Sequence, residues 1–218
     1  MINYDYIINK YEGRGIPYYD RSDDIRIIVL NLCKYMYSDD KKIIKQLILS
    51  YENYRFINSI RVEGRKCIID YDDGVISFSV FPYKFFNNFC DDVLKINDTC
   101  GQCHNITQKV LEKCSCDYIS AITSLCVSNN FFIYFHSYIC DRRENNIIDF
   151  SKKLIMSKDN YDKLFCHKQI NDYNYNEYIN CLNNSQYGCS DSSIFPLLYL
   201  SLEKLKNEEN VYCKKMGL

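Results

Sequence analysis

The 218-residue sequence contains no tryptophan, a single alanine (Ala121), three prolines and seven glycines. Because proline, glycine and serine do not cluster, no stretch is typical of a linker, and no internal repeat divides the chain. We therefore expect one globular domain over residues 1–218, with an irregular N-terminal segment at 1–20 and a polar tail at 207–218.

Long apolar runs and an excess of one charge are also missing. The longest apolar run, Phe131 to Phe135, is too short to cross a bilayer. Lysine and arginine number 27 against 28 acidic residues, which argues against broad electrostatic binding to nucleic acid or anionic lipid. Residues 1–20 carry charges and lack the apolar core of a signal peptide, so we expect a cytoplasmic protein that does not bind membranes.

Isoleucine (27), asparagine (22), tyrosine (21) and lysine (19) are abundant, and all four are encoded by AT-rich codons. Large DNA viruses of the poxvirus type and some parasites have this bias. The chain also has 13 cysteines. In a reducing compartment these are expected to be free thiols or metal ligands rather than disulfides.

The hydrophobic pattern predicts an α+β fold that is predominantly helical. Two helices are expected after Ser22 and after Ser38, followed by a β-hairpin or meander near 59–82 that is centred on the turn Asp72–Gly74. Beyond Pro82 most segments have apolar residues at helical spacing, including 118–127, 147–156 and 161–170. The run 131–139 fits either a buried strand or a core helix, and an all-α bundle is the alternative for the whole chain.

Four cysteines lie close together in the sequence and form the candidate metal site: Cys100, Cys103, Cys114 and Cys116. Two Cys pairs can hold a tetrahedral zinc ion, although this spacing matches no standard finger or ribbon. Buried structural thiols are the favoured interpretation, so we expect no cofactor. A zinc-binding module with a regulatory or nucleic-acid-associated role is the alternative.

The sequence offers three histidines as catalytic bases: His104, His136 and His167. His136 lies among aromatic residues and is interpreted as a core or interface histidine. No nucleophile elbow, phosphate loop, dinucleotide fingerprint or zinc-protease motif occurs, so no catalytic residues and no enzyme are predicted. An enzyme would need one of these histidines to lie in a cleft beside a cysteine or an aspartate.

Two stretches resemble poxviral Bcl-like proteins. The first is Asp23-Asp24-Ile25-Arg26 leading into Cys33–Tyr37, and the second is Tyr118–Val127, which resembles their central core helix. The resemblance covers about 25 residues and implies an all-helical, non-catalytic protein that binds host proteins through surface grooves. On this basis we predict a viral protein of the host cytoplasm that binds a host protein and modulates innate immunity or apoptosis.

Overall fold

The computed structural model of the chain describes residues 21–81, 101–127, 133–188 and 194–216. In these residues the helices are α1 (Arg21–Tyr37), α2 (Lys41–Tyr51), α3 (Cys103–Cys114), α4 (Lys158–Leu164), α5 (Tyr175–Asn184) and α6 (Pro196–Met216). The strands are β1 (Ile57–Glu63), β2 (Lys66–Tyr71), β3 (Gly74–Val80), β4 (Ile119–Val127), β5 (Ile133–Asp141), β6 (Asn146–Asp149), β7 (Leu154–Ser157) and β8 (Cys166–Asn174).

All eight strands belong to one sheet in the order β1-β2-β3-β7-β6-β5-β4-β8, and every neighbouring pair is antiparallel. The chain builds the meander β1-β2-β3 first and then crosses to the other half of the sheet. There β4-β5-β6-β7 return strand by strand until β7 pairs with β3. Helix α4 then leads to β8, which adds to the outer side of β4.

Helices cover both faces of this sheet. On one face α1, α2 and α4 enclose an apolar core with side chains such as Ile25, Ile69 and Tyr161. On the other face α3, α5 and α6 enclose a second core around Ile106, Ala121 and Leu197. The described residues therefore form three layers, with the sheet in the middle.

Local sequence signals fix several helix starts. The Asp40 side chain accepts a hydrogen bond from the Ile43 N–H at 3.1 Å and caps α2. At the start of α5, Asn174 and Glu177 form a reciprocal capping box. Both arrangements satisfy backbone N–H groups that the first turn of a helix leaves without partners.

The predicted fold class is wrong in its balance of helix and strand. The three runs expected as a meander form β1, β2 and β3, but they are part of an eight-stranded sheet and are not a hairpin inserted into helices. The segments 118–127 and 147–156, expected as helices, contain β4, β6 and β7. Because helices cover both faces, apolar residues occur on both sides of these strands, and the alternation that marks a half-exposed strand is lost.

The all-α Bcl-like bundle is wrong for the same reason. The stretch Tyr118–Val127, which resembles a core helix of that family, is almost entirely the central strand β4. The run 131–139, left open between strand and helix, contributes to β5. The predicted helix near 86–96 lies outside the described residues. In the described part of the chain, no helix combines the length and apolar character that crossing a bilayer requires.

Candidate thiol–imidazole–carboxylate site

Asp149 is the last residue of β6 and organises the turn to β7. Its Oδ1 accepts hydrogen bonds from the backbone N–H groups of Ser151 and Lys152, at 3.0 and 3.1 Å, and from the Ser151 hydroxyl at 2.8 Å. A short aspartate that bonds to backbone groups just after itself is a standard way to fix a turn. One carboxylate oxygen of Asp149 is thus occupied in holding the turn.

The other oxygen of Asp149 holds three side chains. Oδ2 accepts from His136 Nε2, Lys152 Nζ and the Tyr161 hydroxyl, each at 2.8 Å. Burial opposes ionisation of this carboxyl group, but the positive charges of His136 and Lys152 outweigh it and hold the pKa of Asp149 well below its usual range. An ionised carboxylate only accepts hydrogen bonds, so His136 donates through Nε2 and its Nδ1 remains for another partner.

The thiol beside His136 belongs to Cys103, the first residue of α3. The imidazoles of His104 and His136 both act on the ionisation of this thiol. In the described sheet β6 pairs only with Ile139–Asp141 of β5, so β6 does not extend alongside His136. His104 follows Cys103 directly in α3, whereas His136 belongs to β5.

These contacts favour the thiolate form of Cys103. Burial opposes ionisation, but the hydrogen bonds and positive charges of His104 and His136 outweigh it and lower the pKa of Cys103 to about 5. The partial positive charge at the start of a helix acts in the same direction. By contrast, burial raises the pKa of Cys67 to about 12 and that of Cys140 to about 11.

His136 responds in the complementary direction. Its burial disfavours the charged form, but the Asp149 carboxylate outweighs this effect, and the hydrogen bonds to Asp149 and Cys103 raise the pKa of His136 further. A lowered thiol pKa beside a raised imidazole pKa favours the form in which Cys103 is a thiolate and His136 an imidazolium, which is the reactive state of a cysteine nucleophile.

His104 contacts Cys103 from the second face of the sheet. Its Nδ1 lies 2.7 Å from the Ser137 hydroxyl, which in turn lies 2.7 Å from the Thr123 hydroxyl. Ser137 follows His136 in β5, and successive side chains of a strand point to opposite faces. The second partner of His104 is therefore a neutral hydroxyl pair, whereas that of His136 is a carboxylate.

Gly101 and Gln102 lead directly into the first turn of α3. Gly101 has φ +73°, a left-handed conformation that glycine adopts without strain. Gln102 precedes α3 and does not cap it with its side chain. The N–H groups of Cys103, His104 and Asn105 lie outside the hydrogen-bond ladder of the helix and point toward its N-terminal end. They can donate to an anionic oxygen that forms beside the sulfur.

The structure separates the predicted metal ligands. Cys103 and Cys114 are the first and last residues of α3, which puts them about 16 Å apart along its axis. Cys116 lies beyond the same far end, where its thiol donates to the Cys114 carbonyl at 2.7 Å, and Cys100 is outside the described residues. Two ligands of one ion lie only a few ångströms apart, so Cys103 and Cys114 cannot share a metal ion. Among the described residues, no three His, Cys, Asp or Glu side chains form a group that could hold one.

Two members of the site, Cys103 and His136, can be named from the sequence, but no pattern in the sequence connects them. Cys103 was grouped with its neighbours in the chain as a metal ligand, and His136 was interpreted as a core histidine. Asp149 was not singled out. The useful signal was the requirement that one of the histidines lie in a cleft beside a cysteine or an aspartate. His167 belongs to β8.

Comparisons of the chain with models of protein families, with curated proteins and with solved structures found no match.

Proposed function

We propose that this protein is a cysteine-dependent acyl-transfer enzyme that cleaves an amide or ester bond. Cys103 is the nucleophile, His136 is the general acid and base, and Asp149 orients His136. The observation that carries the proposal is the pairing of His136 Nε2 with Asp149 Oδ2 at 2.8 Å, next to a thiol at the start of α3 whose pKa His136 and His104 lower.

The first chemical step forms a thioester. The Cys103 thiolate attacks the carbonyl carbon of the substrate, and the electron pair of the C=O bond moves to oxygen. First-turn N–H groups of α3 stabilise this oxyanion. As the oxyanion collapses, the bond to the leaving nitrogen or oxygen breaks, and the His136 imidazolium gives that atom its proton.

The second step regenerates the enzyme. Neutral His136 takes a proton from water, whose oxygen attacks the thioester carbonyl. The C–S bond then breaks and releases a carboxylic acid, while Cys103 returns to the thiolate and His136 to the imidazolium. Asp149 stays ionised throughout and holds His136 in the orientation that points Nδ1 at sulfur.

The exposure of the three residues fits these roles. Cys103 is partly accessible, whereas only 3% of His136 and none of Asp149 is exposed. A nucleophile must be accessible to its substrate. A base that acts through the nucleophile is held in position more precisely when it is buried and closely packed. A buried ionised aspartate also needs multiple donors, and Asp149 has them in Lys152, Tyr161 and the turn.

Acylation by p-nitrophenyl acetate tests the proposal. We expect one equivalent of nitrophenolate to be released rapidly per chain, followed by slower turnover, with the acetyl group located on Cys103 by peptide mass spectrometry. Cys103→Ser should lose both phases. Cys114→Ser is the matched control, because it changes a partly exposed cysteine at the opposite end of the same helix, and it should retain both phases.

Either of two results would contradict the proposed role of Cys103. If acetyl groups accumulate at several cysteines at similar rates, or if Cys103→Ser retains the rapid phase, Cys103 has no special reactivity and the proposal is wrong. The prediction that the protein binds a host protein stays a prediction beside this proposal.

A further inference from the structure

A groove of about 730 Å³ lies between α2 and the end of β1, on the opposite half of the sheet from β4 and β8. Its floor and one wall are apolar, formed by Ile44, Ile48 and Leu49 of α2 together with Val62 of β1. Leu49 is 57% exposed. Residues 41, 45 and 49 follow one another at helical spacing, so one stripe of α2 faces the groove along its length.

The rim of the groove is basic. Lys41, Lys45 and Arg65 border it, against a single carboxylate, Asp39. Among the described ion pairs, none involves Lys41 or Lys45. The whole chain is nearly neutral, at −1, so this local excess of positive charge is a property of the groove and not of the composition.

The groove lies at the end of the terminal strand of the described sheet, where Val62 of β1 and the turn residues Gly64 and Arg65 line it. Strand β1 is the terminal strand, and within the described sheet its only partner is β2. The outward N–H and C=O groups of a terminal strand can pair with an added strand, and a helix beside that edge provides pockets for alternate side chains of the added segment. The geometry of β1 and α2 has both features.

We infer that this groove is a docking site for an extended acidic peptide segment of another protein, which adds to the β1 edge and places alternate apolar side chains against Leu49 and Ile48. The charges of Lys41 and Lys45 select the acidic residues of the segment. The site is separate from Cys103 and does not depend on the proposed chemistry.

Fluorescence anisotropy with a labelled eight-residue peptide that alternates glutamate and valine tests this inference. We expect saturable binding, and the double charge reversal Lys41→Glu/Lys45→Glu should weaken it about tenfold. Lys42→Glu is the matched control, because Lys42 is an exposed lysine of the same helix outside the groove, and it should change binding less than about twofold. Cys103→Ser should bind like the original chain.

Further measurements distinguish an added peptide strand from other occupants of the groove. Backbone N-methylation of alternate peptide residues should weaken binding if the peptide adds as a strand, and Leu49→Ser should weaken it without changing circular dichroism. The inference is overturned if a lysine–valine peptide binds equally well, if Lys42→Glu weakens binding as much as the double reversal, or if N-methylation has no effect. It is also overturned if sedimentation shows a dimer that Leu49→Ser dissociates, because a second copy then covers the groove.

Discussion

The two buried histidines that contact Cys103 lie in different surroundings. His136 reaches Asp149, whose charge is shared with Lys152 and Tyr161, whereas His104 reaches the hydroxyl pair of Ser137 and Thr123. A carboxylate stabilises an imidazolium far more than a hydroxyl does, because the attraction between full charges is strong in a buried site. The comparison teaches that two imidazoles beside one thiol are not equivalent, because a carboxylate contacts His136 and a hydroxyl pair contacts His104.

Replacing His136 gives the largest expected effect. His136→Asn removes the proton donor, so we expect nitrophenolate release to fall by a factor of about 10² to 10⁴. The pH profile of iodoacetamide alkylation at Cys103 should also shift from an inflection at about 5 toward the ordinary thiol value of 9.0. If the profile stays near 5, His104 maintains the thiolate and the comparison is reversed.

Asp149→Asn sharpens the comparison, because it removes the negative charge that distinguishes the surroundings of His136 from those of His104. It leaves Lys152 buried without its carboxylate, which we expect to destabilise the fold by about 3 to 5 kcal/mol in urea unfolding. The double variant Asp149→Asn/Lys152→Met removes the stranded cation and should recover much of this stability. Its acylation rate should nevertheless remain low, by a factor of about 10³, because His136 is no longer oriented. If the double variant recovers both stability and acylation rate, Asp149 has only a structural role.

Stability in acid tests the shared proton. Below the ordinary histidine pKa of 6.5 the unfolded chain protonates both groups, whereas the folded pair keeps one proton until the pH falls through the Cys103 pKa of about 5. The depressed thiol pKa therefore contributes stability that is lost as the pH drops through this window. We expect a loss of roughly 2 kcal/mol that Cys103→Ser lacks. Equal pH dependence in the two proteins would show that Cys103 stays protonated.

Replacing the hydroxyl partner of His104 should give the smallest effect on acylation. Ser137→Ala removes the partner of His104 at a cost of about 1 kcal/mol, because it breaks one buried neutral hydrogen bond. We expect acylation to fall less than about tenfold and the alkylation inflection to stay close to 5. A loss as large as that of His136→Asn would place the essential base on the other face of the sheet.

Local signals made part of the fold predictable. The cap at Asp40 and the apolar spacing of α2 are encoded in neighbouring residues, and the turn Asp72–Gly74 joins β2 to β3 as its sequence indicates. Strand β4 was misread because helices cover both of its faces. Its run of apolar and small residues has no alternation from which a strand could be recognised.

The candidate site was less predictable, because it depends on strand register and not on spacing in the chain. Cys103 was assigned to a metal because other cysteines are near it in sequence, although the helix between Cys103 and Cys114 separates them. His136 and Asp149 meet only because β5 and β6 pair at Ile139–Asp141 and the chain turns directly after Asp149. No local pattern carries that information.

Thiolate absorbance in the ultraviolet, measured against pH as the difference between the original chain and Cys103→Ser, tests the central claim most directly. Subtracting the variant removes the contribution of the other thiols and the tyrosines. The account predicts a titration with its midpoint at about 5, which reports a thiolate stabilised by protonated His136. A midpoint near 9.0, the ordinary value for a cysteine, would contradict it.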